Sequence, residues 1–253
     1  MSYPMRVLGA LSLVSALAAC DSSSPASTGS QAQFNVATRP AAAGVVAAPA
    51  MAMGLAPVVF GSGTDTLVIT QVQMVVREVE LKRSDVPAGC TGGTDGCEEL
   101  ESGPYLLDLP LTGGASTVVA VDVTPGTYDE LEFKVRRPEG DTAFITQHPD
   151  FAGVSIRVTG TWNGTPFTYT TDVSAEQELN IAPPLVITET ASADFTLMID
   201  VGTWFRDAGG ALVDPSTANV GGPNESRVNS NITQSFDAFE DENHDGTDDH
   251  GGK

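Results

Sequence analysis

Residues 67–83 read LVITQVQMVVREVELKR, a run rich in β-branched residues that is too long and too evenly apolar for a loop. Val75, Val79 and Leu81 lie on one alternation of an extended chain, and Val72, Met74 and Val76 lie on the other. A strand changes side every residue, so the apolar phase switches near Val75-Val76. Such a switch predicts a β-bulge, or a strand passing from one sheet to another. This long strand must be covered on both sides for part of its length, which constrains the whole chain.

The runs that follow agree. In YDELEFKVRR, Leu131, Phe133 and Val135 point one way, while Glu130, Glu132, Lys134 and Arg136 point the other. That is one dry and one wet face. VSIRVTGTWNGTPFTYTTDV carries Asn163-Gly164, the two positive-φ residues that a type I′ hairpin needs, with Ile156, Val158, Phe167 and Tyr169 sharing a face. DFTLMIDV places Phe195, Leu197, Ile199 and Val201 inward. Short apolar runs recur with no long helical period between them. The expected fold is therefore all-β, an antiparallel β-sandwich. The exceptions are a weak helical signal around Thr142 to Pro149 and a C-terminal one. In SRVNSNITQSFDAFED, Val228, Ile232, Phe236 and Phe239 recur at helical spacing and predict one short C-terminal α-helix, capped by Asn224 or Ser226.

The N-terminus is of another kind. MSYPMRVLGALSLVSALAACDSSSP has a positive start at Arg6, an apolar run from Val7 to Leu17 too short to span a bilayer, and small residues before Cys20. Leu17-Ala18-Ala19-Cys20 resembles the lipobox of bacterial lipoproteins. That resemblance implies acylation of Cys20, removal of residues 1–19 and export to the cell envelope. Residues 20–63, rich in Ser, Ala, Pro and Gly, are expected to form the lipidated Cys and a flexible tether, although Val58 to Phe60 can already join a sheet. The sandwich with its helix is expected over 64–239 and an acidic tail over 240–253. Cys90 and Cys97 remain as a pair across TGGTDG. The Gly-rich spacer and an oxidising compartment favour a structural disulfide over a zinc site.

The order ITQVQMVVREVEL, YLLDLPL, PGTYDELEFKV and a late strand ending in Trp204-Phe205 resembles exported bacterial lipoproteins with a transthyretin-like sandwich, the domain of unknown function 4382 family. The resemblance implies the fold and the envelope location. It implies no activity, because that family has no established one.

The net charge of -21 excludes nucleic acid as a partner and leaves membrane contact to acyl chains. Within the tail, DENHDGTDD fits the first half of a calcium loop, with Asp241, Asn243, Asp245, Thr247 and Asp249 as ligands. Gly252 stands where an EF-hand needs Glu, so the alternatives are a calcium loop of the thrombospondin or dockerin kind and a solvated acidic tail. Ca2+ is the one cofactor the sequence suggests. Trp162, at the hairpin tip, is the candidate ligand-binding aromatic, and Trp204-Phe205 are expected to close the core. His148, His244 and His250 are expected at the surface, and no nucleophile elbow, zinc helix or phosphate loop occurs. The functional expectation is a non-enzymatic, lipid-anchored envelope protein that binds an envelope protein or glycan or serves structurally. Its alternatives are a carbohydrate- or adhesin-type recognition module, calcium-dependent or not, and a hydrolase with an unrecognised site.

Overall fold

A computed structural model describes residues 30–39, 57–85, 99–111, 115–189 and 192–241. The strands among them are, in chain order, β1 (Gln31–Thr38), β2 (Val58–Ser62), β3 (Asp65–Arg83), β4 (Glu99–Ser102), β5 (Tyr105–Asp108), β6 (Ala115–Asp122), β7 (Gly126–Val135), β8 (Ile156–Trp162), β9 (Thr165–Thr171), β10 (Ala175–Ile187), β11 (Ser192–Ile199) and β12 (Phe236–Glu240). They form a four-stranded sheet in the order β12-β11-β1-β6 and a larger sheet in the order β10-β7-β3-β8-β9, with β2, β4 and β5 also on β3. All pairs are antiparallel except β1 with β11. The all-β antiparallel sandwich expected from the alternating runs is the observed fold.

The two layers meet through aromatic side chains. Phe34 of β1 stacks on Phe195 of β11 (centroids 5.8 Å apart, planes at 15°) and meets Phe133 of β7 edge-on at 6.1 Å. Trp204 and Phe205 are fully buried and close the core, as expected. The indole N–H of Trp204 donates to Ser235 Oγ at 2.7 Å, so its one polar atom is satisfied inside.

Strand β3 organises the larger sheet. Its inward residues are Leu67 and Ile69, then Val72, Met74 and Val76, then Val79 and Leu81. The phase changes twice, and each change falls at a register shift, at Thr70 against β8 and at Arg77 against β7. The expected bulge is present, with a second one before it. The outward Val75 is not wasted: it packs with Phe144 and Phe151 in a small cluster under α1 (Thr142–Gln147), whose N-terminus Asp141 caps by accepting from Phe144 N–H at 2.8 Å. The β8–β9 turn has Asn163 at φ 50° and Gly164 at φ 81°, as its sequence requires.

Two expectations need correction. Residues 31–38, assigned to a flexible tether within 20–63, form β1, an interior strand of the smaller sheet. QAQFNVAT alternates, with Ala32, Phe34 and Val36 inward, and this brief alternation outweighs the loop-like composition around it. Second, the C-terminal helix does not reach Phe239. Helix α2 spans Glu225–Thr233, with Val228 and Ile232 buried, and β12 follows it. A spacing of three residues puts Phe236 and Phe239 on opposite faces of a strand. Phe236 enters the main core, and Phe239 joins Ala37 and Met198 on the outer side of the sheet. β12 satisfies the backbone edge of β11 and removes the acidic residues from an unfavourable helix C-terminus.

Candidate functional site

Three polar regions stand out, each placed by strand register. The first lies on the outer face of the smaller sheet. Antiparallel pairing of β12 with β11 continues past Glu240, and the Asp241 N–H donates to Asp194 O at 3.0 Å. Asp194 and Asp241 therefore stand side by side, both buried, and Thr196 Oγ1 donates to Asp241 Oδ2 at 3.0 Å. One strand over, Asn35 is the register partner of Thr196 and is 1% exposed, with no hydrogen bond to either of its side-chain polar atoms among the described residues. Asp241, the first expected calcium ligand, is thus fixed to the sheet. Asn243, Asp245, Thr247 and Asp249 lie outside the described residues, as do Cys20, Cys90 and Cys97. Paired carboxylates with an amide and a hydroxyl nearby form an all-oxygen set, the chemistry that hard divalent cations take.

The second region is a charge ladder on the outer face of the larger sheet. Register aligns Glu101, Glu80, Glu132 and Glu178 in one row across β4, β3, β7 and β10. Like charges directly opposed are unfavourable, and two lysines answer them. Lys134 Nζ donates to Glu78 Oε1 at 2.7 Å and to Glu80 Oε1 at 2.6 Å, and Lys82 pairs with Glu130 and with Glu132 at 3.1 Å. Glu78 and Glu80 shift each other's titration in opposite directions. The Glu80 carboxyl beside it holds Glu78 down to about 2, helped by Lys134 and Arg136. Burial, and then the same contact with Glu78, pushes Glu80 up to about 7. Glu78, Glu80 and Glu101 approach one another closely enough to share an ion. Lys134 already neutralises that position, so it reads as a sheet-stabilising network.

The third region is a cleft of about 390 Å³ lined by Arg77, Arg136, Arg137, Glu139, Asp172 and Ser174. Arg77 is the extra residue of the β3 bulge, Arg136 and Arg137 follow the last residue of β7, and Asp172 and Ser174 join β9 to β10. At the bulge, Arg77 shares the cleft with the residues that follow β7 and β9. Gly103, at φ 140°, lets the β4–β5 bend approach the bulge; a Cβ there would lie 2.5 Å from Arg77 O. Arg136 pairs with Glu78 Oε2 at 3.0 Å, and Arg137 pairs with Glu139 at 2.5 Å and Asp172 at 3.3 Å. The Arg77 guanidinium has no partner among the described residues.

Of the remaining candidates, Trp162 and His148 are among the described residues. Trp162 ends β8 opposite Leu67 and is half-buried against the main core. His148 caps α1 at its C-terminus, its ring 4.8 Å from Phe144. His244 and His250 lie outside the described residues. Asp108 accepts from Gln71 Nε2, and Asp200 accepts from Gly202 N–H in a short 3₁₀ turn. Sequence reasoning missed Asp194, Asn35 and the arginine cleft. The doubled arginines at 136–137 were visible, but their meeting with Arg77 depends on a bulge that the apolar phase switch located without saying which side chain it would redirect.

No protein-family model, no curated protein and no solved structure matches this chain.

Proposed function

We propose that this chain is an exported lipoprotein of the bacterial cell envelope, anchored through acyl chains on Cys20 and presenting its β-sandwich for binding or support rather than catalysis. The observation that carries this reading is the order of features over residues 1–20: positive start, short apolar run, small residues, then Cys20. The two packed sheets of the described residues are a domain of the kind such an anchor can display. The strongly acidic balance fits as well, since acyl chains can hold a polyanion to a surface that its charge would avoid.

The test is metabolic labelling with a palmitate analogue, with fractionation of the envelope. The native chain takes up label and stays with membranes, and Cys20→Ser abolishes the label and releases the protein. Recovery of an unlabelled, full-length native chain from the cytosol refutes the proposal.

A second reading, a calcium-dependent recognition module, draws on one specific arrangement. Asp241 opens the D-x-N-x-D-G run and is buried beside Asp194, with the Asn35 amide, unpartnered among the described residues, on the same face. In this reading the ion is structural, joining the tail to the smaller sheet.

A further inference from the structure

Lys and Arg together number 12 in this chain against 33 Asp and Glu, yet three arginines line one cleft. In such a chain a cation is expected to be answered by a nearby carboxylate. Arg136 obeys, through the buried Glu78. Arg137 obeys loosely, because its partners Glu139 and Asp172 have side chains 70% and 50% exposed and can swing into water at little cost. Arg77 does not obey: it is half-buried and has no acidic partner among the described residues. A guanidinium is always charged, presents a rigid fork of donors, and suits phosphate and carboxylate groups bidentately. The backbone fixes its position, since a bulge held by the close approach of Gly103 presents it.

We propose that the cleft between the bulge of β3 and the C-terminal ends of β7 and β9 is a binding site for an oxyanion, a phosphate or carboxylate, held by Arg77 with Arg137 as second clamp. Asp172, Glu139 and Ser174 face the rest of the ligand. These are hydrogen-bonding groups for hydroxyls, so the best ligand carries its anionic group on a hydroxyl-rich frame, as a phosphorylated or uronic sugar does. The cleft volume of about 390 Å³ is of the size that small polar ligands fill. This inference does not depend on lipid at Cys20, so its failure and the failure of the proposed anchoring are separable.

The experiment is calorimetric titration of the full chain with inorganic phosphate, with glucuronate and with glucose, repeated on Arg77→Gln, Arg77→Lys and Arg227→Gln. Arg227 is an exposed arginine of α2 that does not line the cleft. Circular dichroism melting of each variant shows that it is folded. The native chain binds phosphate or glucuronate and not glucose. Arg77→Gln weakens binding by about tenfold or more, Arg77→Lys retains part of it, and Arg227→Gln leaves it unchanged. Tighter binding of glucuronate than of phosphate identifies the acidic sugar as the source, and the reverse identifies the free anion; either supports the site. Absence of heat with both anions overturns the proposal, as does an equal loss in Arg77→Gln and Arg227→Gln, which would mark diffuse charge attraction.

Discussion

Phe34 and Phe195 are register partners on parallel strands, and their rings stack at 5.8 Å in the middle of the molecule. One belongs to a stretch with the composition of a linker, the other to the clearest apolar strand of the C-terminal half. Their contact makes residues 31–38 part of the fold.

Phe34 is 1% exposed, so Phe34→Ala opens a cavity between the layers that the two sheets cannot fully close. The expected cost is about 3–4 kcal/mol of unfolding free energy, read from urea melts. A cost near zero would mean that β1 is dispensable.

Glu80 sets a pH dependence. Its folded value of about 7 lies above the ordinary 4.5, so the stability it contributes is complete below 4.5 and is lost as pH rises through about 7. Glu78, held down to about 2, works in the opposite sense: its contribution is present above 4.5 and lost as pH falls through about 2. Native stability should therefore fall between about pH 4.5 and pH 7, and Glu80→Gln, which fixes the neutral form, should flatten that fall. The difference at pH 8 is expected to be on the order of 2 kcal/mol. Parallel profiles for the two proteins would show that Glu80 is not the source of the fall.

Calcium added in several-fold excess over a millimolar-range Kd should raise stability by about 1 kcal/mol. Asp194→Asn should remove that increment, since Asp194 stands beside Asp241 in the sheet. An increment that survives Asp194→Asn would separate calcium from the sheet face.

Asn229 of α2 accepts from Tyr169 OH at 3.0 Å and from Thr171 Oγ1 at 2.9 Å, and so joins the helix to β9. Asn229→Ala leaves two buried hydroxyls without that acceptor and should cost about 1–3 kcal/mol, with faster amide exchange along α2. Unchanged exchange would show that Val228 and Ile232 alone hold the helix.

The strands that were legible in the sequence are those whose local chemistry decides the matter. Asn163-Gly164 has one low-cost backbone solution, and Leu131, Phe133 and Val135 alternate against charges on the opposite face. β1 was illegible because its alternation is short and sits among Ala, Ser and Gly, and its burial comes from β11, some 160 residues away in sequence. The spacing of Phe236 and Phe239 fits a helix stripe and an edge strand equally well, and the open edge of β11 decides between them. For the arginine cleft the residues were plain and the meeting point was not. Three segments distant in sequence supply it, and only their pairing registers bring them to one place.

Under the proposed anchoring at Cys20, the position of β1 would also limit where the molecule can work. From Cys20 to Gln31 there are eleven backbone steps, which span roughly 40 Å even when fully drawn out. A chain fastened at Cys20 would carry its sandwich on a short leash, confined to a shell of about one domain's width above the lipid. Any ligand would have to come to that surface, and a partner standing farther off would have to do the reaching.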